Sequence, residues 1–244
     1  MLVRQAANVL DLLEYFAQVK KPSSLAEISA ALGWPRSSTF NLLGTLAHRG
    51  YVYEPRPRAG FYPTSRWAWL LQGIADPESV PEELCKAVDE VARSTGETVA
   101  IAAPSGTSAV LLYVVESPHV VRFTAQLGYQ MPIHTTSCGR ALLAQYSPAE
   151  RAAVLKKVRY ERFAERSLMD AKQVEAEIKL AVARGWHENI DGYAKDLVGV
   201  ALPAELRDRC LSIVVGGPTS RMRQSIPQIA ATLKRELNRH LAVP

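Results

Sequence analysis

Cysteine is scarce in this chain of 244 residues, which holds only Cys85, Cys138 and Cys210. An odd number at such wide spacing argues against a disulfide framework or a cysteine-based zinc site, and fits a reducing compartment. No uninterrupted apolar run reaches the roughly 18 residues that a membrane-spanning helix needs. The first residues, MLVRQAANVLDLLEYF, carry acids inside their apolar pattern and offer no signal-peptide cleavage site, so a cytoplasmic location is expected. Phosphate-cradling glycine loops, HExxH and CxxC are all missing, so neither a cofactor nor a metal is expected. There are no repeats and no low-complexity tract. What is present is an ordinary globular composition, 48% hydrophobic and 22% charged, with length for two domains.

The net charge of +5 is unevenly spread. Residues 1–75 hold eight Lys/Arg against four acids, and the remainder 21 against 20. Such an excess suits a phosphate-contacting module, although it is too common to decide the matter alone. Within this stretch Ala6, Val9, Leu10, Leu13 and Ala17 follow helical spacing, predicting an amphipathic helix over 5–18 that ends at Lys20-Lys21-Pro22. Ser24 and Glu27 form a capping box for a second helix, whose face is Leu25, Ile28 and Leu32 and whose stop is Gly33. Pro35 suits the first turn of a third helix, in which Leu42, Leu43, Leu46 and Ala47 face the core up to Gly50.

Arg36, Ser37, Ser38 and Thr39 begin that third helix, with Asn41 just beyond. Small hydroxyls let a helix N-terminus approach a duplex, and its free amides can hold a phosphate. Arg36 suits guanine or a phosphate, and Asn41 suits adenine. The alternative is that the hydroxyls only cap the helix. Two short aromatic strands follow, Tyr51–Tyr53 and Phe61–Tyr62, joined by a Pro/Gly/Arg turn that carries Arg56 and Arg58. Such a pair is either solubilising or, after a recognition helix, a minor-groove or phosphate contact. The order predicts a winged helix-turn-helix over 1–63 with double-stranded DNA as its partner.

Residues 64–79 (helical over TSRWAWLLQGIA) read as a linker helix with surplus apolar surface from Trp67, Trp69, Leu70 and Leu71, fit to pack on a second subunit. Asp76-Pro77 and Val80-Pro81 put a boundary near 76–80. From 80 to 244 the pattern predicts helices at 81–95, 137–146, 148–158, 170–184 and 221–241. It predicts a hairpin of ETVAIAAP and SAVLLYVV about Ser105-Gly106-Thr107, a strand over Val120–Thr124, and strands near 197–202 and 210–215. Helices interleaved with antiparallel strands make the whole an α+β chain with a sensor-like second half. Ser137–Gly139, at a helix start, is a fit place for an anion.

VLDLLEYF…SLAEISAALGWPRSSTFNLLGTLAHRGYV resembles the winged domain of the IclR (isocitrate lyase regulator) family, with Asn41 standing where family members usually carry arginine. MPIHTTSCGRALLA resembles that family's Pro-x-His…Gly-(Lys/Arg)-Ala-Leu-Leu-Ala segment, and ARGW and DLVGVALP match more loosely. The resemblance covers nearly the whole chain. It implies a GAF-like C-terminal domain that binds a small effector and takes part in oligomerisation, to a dimer or a tetramer. It further implies a pocket at Ser137, Cys138, Gly139, Asn189, Gly199, Val214 and Gly216. Val214 and Gly216 stand where hydroxyls often occur in members that hold small carboxylates, so a roomier, more apolar wall suits an aromatic acid.

The expected function is therefore a DNA-binding transcriptional regulator, not an enzyme, whose operator binding answers to a small organic or aromatic acid. Two rivals stand beside it. One is an enzyme built on Cys138, four residues from His134; the other is a constitutive DNA-binding protein with a purely oligomerising second half. His187, Glu188 and Asp191 form a metal site only with partners from elsewhere, and read more simply as a polar loop.

Overall fold

A computed structural model describes residues 3–74, 80–206 and 209–241. The chain divides into two units, Met1–Ser79 and Val80–Pro244. The expected break at Asp76-Pro77 falls outside the described residues.

The first unit runs α1 (Arg4–Val19), α2 (Leu25–Leu32), α3 (Arg36–His48), β1 (Val52–Tyr53), β2 (Tyr62–Pro63) and α4 (Arg66–Ile74). Ser24 accepts from the Glu27 amide while Glu27 accepts from the Ser24 amide, the reciprocal box that starts α2. Gly33, at φ 65°, ends it. The face of α1 differs from expectation. Leu12 and Phe16 are buried with Val9 beside them, whereas Ala6, Leu10 and Ala17 are exposed. Two interleaved apolar sets share that helix, and the aromatic one wins because it buries more surface. Leu12, Phe16, Ile28, Leu43, Leu46 and Val52 form the core. Trp67 of α4 joins it, its ring 4.4 Å from that of Tyr51 and its indole N–H on the Tyr51 carbonyl.

The second unit runs α5 (Glu82–Thr95), β3 (Thr98–Ser105), β4 (Ser108–Val115), β5 (Gln130–Pro132), α6 (Ser137–Leu143), α7 (Pro148–Leu155), α8 (Ala171–Arg184), β6 (His187–Ile190), β7 (Leu197–Leu206), β8 (Arg209–Pro218), α9 (Thr219–Met222) and α10 (Ile226–Leu241). Its six-stranded antiparallel sheet has the order β5-β4-β3-β8-β7-β6. Side chains alternate across it. Val99, Ile101, Ile213 and Val215 point to one face, where Leu84, Val88 and Val91 of α5 and Ile229, Leu233 and Leu237 of α10 cover them. Ala100, Ala102, Ala201 and Val214 point to the other, against Cys138, Ala141 and Leu142 of α6. Small residues on that second face let the short α6 lie close to the sheet. Beyond it, α7 and α8 close a further cluster around Ile133, Leu143 and Ile178.

Two expectations fail here. Val120–Thr124 is irregular, with Val120 95% exposed, so its β-branched run pairs with nothing. His187 and Glu188, read with Asp191 as a polar loop, lie in the edge strand β6, paired to β7 from His187↔Ala201 to Ile190↔Val198. A polar edge strand carries no apolar alternation to announce itself.

Candidate functional site

The first unit presents α3 from a rigid turn. Ser29 Oγ donates to the Trp34 carbonyl at 2.6 Å, and the Trp34 amide returns to the Ser29 carbonyl at 3.0 Å. Pro35 is the N-cap and no side chain caps α3. Ser37 and Ser38 are therefore not spent on their own helix, and the first-turn amides stay open as donors. At roughly 100° per residue, the buried Thr39, Leu43 and Leu46 define the inner face of α3. Ser37, Phe40, Asn41, Gly44 and His48 fall on the outer one, with Arg36 and Ser38 flanking them at the start; all seven are exposed.

Thr39 is a correction. It is fully buried, and its hydroxyl donates to the Pro35 carbonyl at 3.1 Å, so it faces the core and not the outer surface. Phe40, which no capping or spacing pattern singles out, is 65% exposed beside Asn41.

The wing is anchored at its root. Phe61 and Ser23 exchange backbone hydrogen bonds of 2.8 and 3.0 Å, and a side chain at Gly60 (φ 89°) would stand 2.6 Å from the Ser23 carbonyl oxygen. Only glycine fits there. Arg56 and Arg58 lie exposed on the tip, Arg58 in the left-handed region at φ 65°.

In the second unit a cavity lies between α6 and the small-residue face of the sheet. Phe123, Met131, Thr136, Ser137, Cys138, Asn189, Tyr193, Leu197, Val198, Gly199, Val214 and Gly216 line it. Six of the seven expected pocket positions thus converge. Gly139 does not join them, because its missing side chain faces the Ile133 backbone and its amide is held by Thr136 Oγ1 at 3.2 Å. Thr136, not Ser137, is the N-cap, and α6 spans only seven residues, which leaves less of an anion site than expected.

Asn189 is also more committed than expected. Its Nδ2 donates to the Thr135 carbonyl and its Oδ1 accepts from the Gly192 amide at 2.9 Å, pinning two loops together. The roominess expected at Gly216 is absent, since Phe123 fills it. A Cβ there would stand 3.0 Å from the Phe123 ring, and one at Gly199 would stand 2.6 Å from Ser137 Oγ. The free volume is about 30 Å³, room for little more than a water molecule. Tyr193 meets Phe163 at 5.8 Å between ring centres and shares a 2.7 Å hydrogen bond with the Tyr129 hydroxyl. Burial, then that bond, raises the Tyr193 pKa, so the phenol stays protonated. Phe123 and Tyr193 were missed because they come from irregular segments, and Met131 because its three-residue edge strand β5 is too short to show a pattern. Thr136 was within reach as the hydroxyl just before a helix start.

Behind this wall Arg140 is buried and donates to the carbonyls of His134, Thr135 and Glu188 at 3.3, 2.8 and 2.5 Å. Burial brings its pKa down to about 10, which keeps it charged at neutral pH. His134 packs edge-on against Tyr160 at 5.1 Å, and neither of its ring nitrogens has a partner. Burial, then the Arg140 charge, pushes its pKa down to about 4. The same two causes, with Arg184, push that of His187 down to about 3. The Cys138 thiol is buried, raised by that burial, and turned to Thr136 Oγ1 at 3.5 Å. Glu188 pairs with Arg184, and Asp191 accepts from Thr219. Among the described residues no three His, Cys, Asp or Glu stand together as a metal-binding group, and no helix is long and apolar enough to cross a membrane.

The model for the IclR helix-turn-helix domain matches residues 5–56, and that for the bacterial transcriptional regulator IclR C-terminal domain matches 76–239. The repressor AllR of Klebsiella pneumoniae is 26% identical over 237 residues, covering 95% of this chain and 86% of its own. The repressor IclR of Escherichia coli is 25% identical over 228 residues, covering 90% and 82%. Among solved structures, the Thermotoga maritima IclR covers 98% of this chain and 99% of its own with a TM-score of 0.74 at 17% identity. An IclR homologue from Microbacterium hydrocarbonoxydans, complexed with 4-hydroxybenzoate, covers 96% and 99% with a TM-score of 0.68 at 17% identity. The two solved structures share the helix-turn-helix and antiparallel-sheet architecture described above, and the chain belongs to the IclR family of transcriptional regulators, DNA-binding proteins that answer to a small effector.

Proposed function

We propose that this chain binds a roughly palindromic operator as a dimer, through α3 and the wing, and releases or grips it when an aromatic or similarly apolar organic acid enters the second unit. The observation that carries the DNA half is the outer face of α3. Arg36, Ser37, Ser38 and Asn41 are exposed on one helix whose N-terminus is uncapped, with Arg56 and Arg58 on the hairpin that follows. In this reading the first-turn amides and Ser38 sit on phosphate, Arg36 and Asn41 reach base edges, and the wing arginines take flanking phosphates or the minor groove. Trp69, Leu71 and Ile74, 69%, 61% and 66% exposed on α4, supply apolar surface for a second copy. A two-fold arrangement would set two α3 helices about one turn of duplex apart.

For the effector, Phe123, Met131, Tyr193 and Val214 make an apolar body site, and the Ser137 hydroxyl takes the acid group. Because ligand sites typically need about 300 Å³ or more, entry displaces Phe123 and Tyr193 and parts the Tyr129–Tyr193 bond. That side-chain movement is the differential interaction through which a ligand can shift DNA affinity. The 4-hydroxybenzoate bound to the Microbacterium homologue is an acid of this class. Cys138 is wall and not nucleophile here: its thiol is held protonated and His134 does not reach out to it. Calorimetry with glyoxylate, pyruvate and a series of hydroxybenzoates tests the effector class. Tighter binding of the aromatic acids is expected, and preference for the two small acids overturns it.

A further inference from the structure

Phe40 is an apolar ring of large surface on a helix whose inner face is fully supplied without it. It is 65% exposed, whereas Leu43 and Leu46 at the neighbouring turns are 1% and 7% exposed. Scattered exposed hydrophobics are ordinary, so exposure alone says nothing. Its place does. Phe40 stands one turn beyond Ser37, next to Asn41 and one turn before Gly44, on the outer stripe of α3.

Gly44 sharpens this. Glycine inside an exposed helix costs about 1 kcal/mol relative to alanine, and here a Cβ would meet nothing within 4 Å. No packing within the chain therefore calls for it. A missing side chain in mid-helix does let the helix backbone come close to an outside surface, which brings residues 40 and 41 to that surface directly. The exposed face of α3 that carries the ring is otherwise cationic and hydrogen-bonding, from Arg36, Ser37 and Asn41, a poor match for an apolar protein face and a good one for duplex DNA.

Within a major groove the one apolar group among the base edges is the thymine 5-methyl. We infer that Phe40 is a specificity-determining residue that packs on the 5-methyl group of one thymine in each operator half-site. The inference rests on the DNA reading above and adds to it the identity of a base.

Deoxyuridine lacks only that methyl, so the test is a replacement scan. The full chain selects its operator from a random duplex pool, and each thymine in turn is replaced by deoxyuridine in an anisotropy titration. At one thymine per half-site the replacement should weaken binding about fourfold, and about fifteenfold when both half-sites are changed. Phe40→Ala should bind the thymine operator more weakly and show no further loss with deoxyuridine. A wild-type protein indifferent to deoxyuridine at every position overturns the inference, as does an alanine variant that keeps the full penalty. So does an alanine variant that changes only the sedimenting mass, which would assign the ring to a second copy. If the pool yields no selected duplex at all, the DNA reading itself fails, an outcome distinct from an indifferent scan.

Discussion

Ser38 and Thr39 are chemically alike and adjacent, yet their surroundings are opposite. Ser38 is exposed at the uncapped start of α3, while Thr39 is buried with its hydroxyl on Pro35. Composition marked both; only the helical phase of Leu43 and Leu46 separates them, and that phase assigns Thr39 to the core. Ser38→Glu should therefore lower operator affinity on the order of 100-fold or more, by setting a carboxylate against phosphate, with no change in melting temperature. Thr39→Glu should unfold the first unit instead. Gly60→Ala, forced into φ 89° and against Ser23, should cost more than about 1 kcal/mol in a denaturant titration of that unit.

The buried histidines give the second unit a pH dependence of known sign. His134 and His187 are held neutral, with pKa values lowered from 6.5 to about 4 and about 3, so each takes up a proton on unfolding. Their contribution is intact above about pH 6.5 and declines as pH falls toward those folded values, at about 1.4 kcal/mol per pH unit for each histidine. Urea midpoints between pH 6.5 and 5 should show this slope. His134→Phe, which keeps the ring against Tyr160, should remove about half of it; an unchanged slope would show that His134 titrates normally.

At the scale of elements, turn and cap chemistry was the most readable part. The capping box at Ser24, the Gly33 stop and the β3–β4 hairpin all stand where local residues put them. Strand β6 and the irregular Val120–Thr124 segment were misread because their state is set by partners far away in sequence. β6 is a strand because β7 offers an edge, and Val120 is not, because nothing does. The wing was legible from its Pro, Gly and Arg content, and its charge makes a separable prediction. Removing Arg56 and Arg58 together should weaken binding to all sequences alike. The dependence of log affinity on log salt should become shallower by up to about two phosphate contacts. A change in sequence preference with the slope unchanged would place those arginines on bases.

For the whole molecule, the order of two units was readable from punctuation and charge, and six of seven expected pocket positions do meet around one cavity. The content of that cavity was not, since Phe123 and Tyr193 arrive from loops and fill the space that Gly216 leaves. A pocket this closed must rearrange to bind, and in the proposed function that rearrangement ties the effector to the DNA. Operator affinity measured with and without the aromatic acid that most raises the melting temperature is the most direct test. A change of about 5- to 150-fold in the operator Kd is expected at saturating acid. An acid that binds the second unit and leaves that Kd unchanged would contradict it.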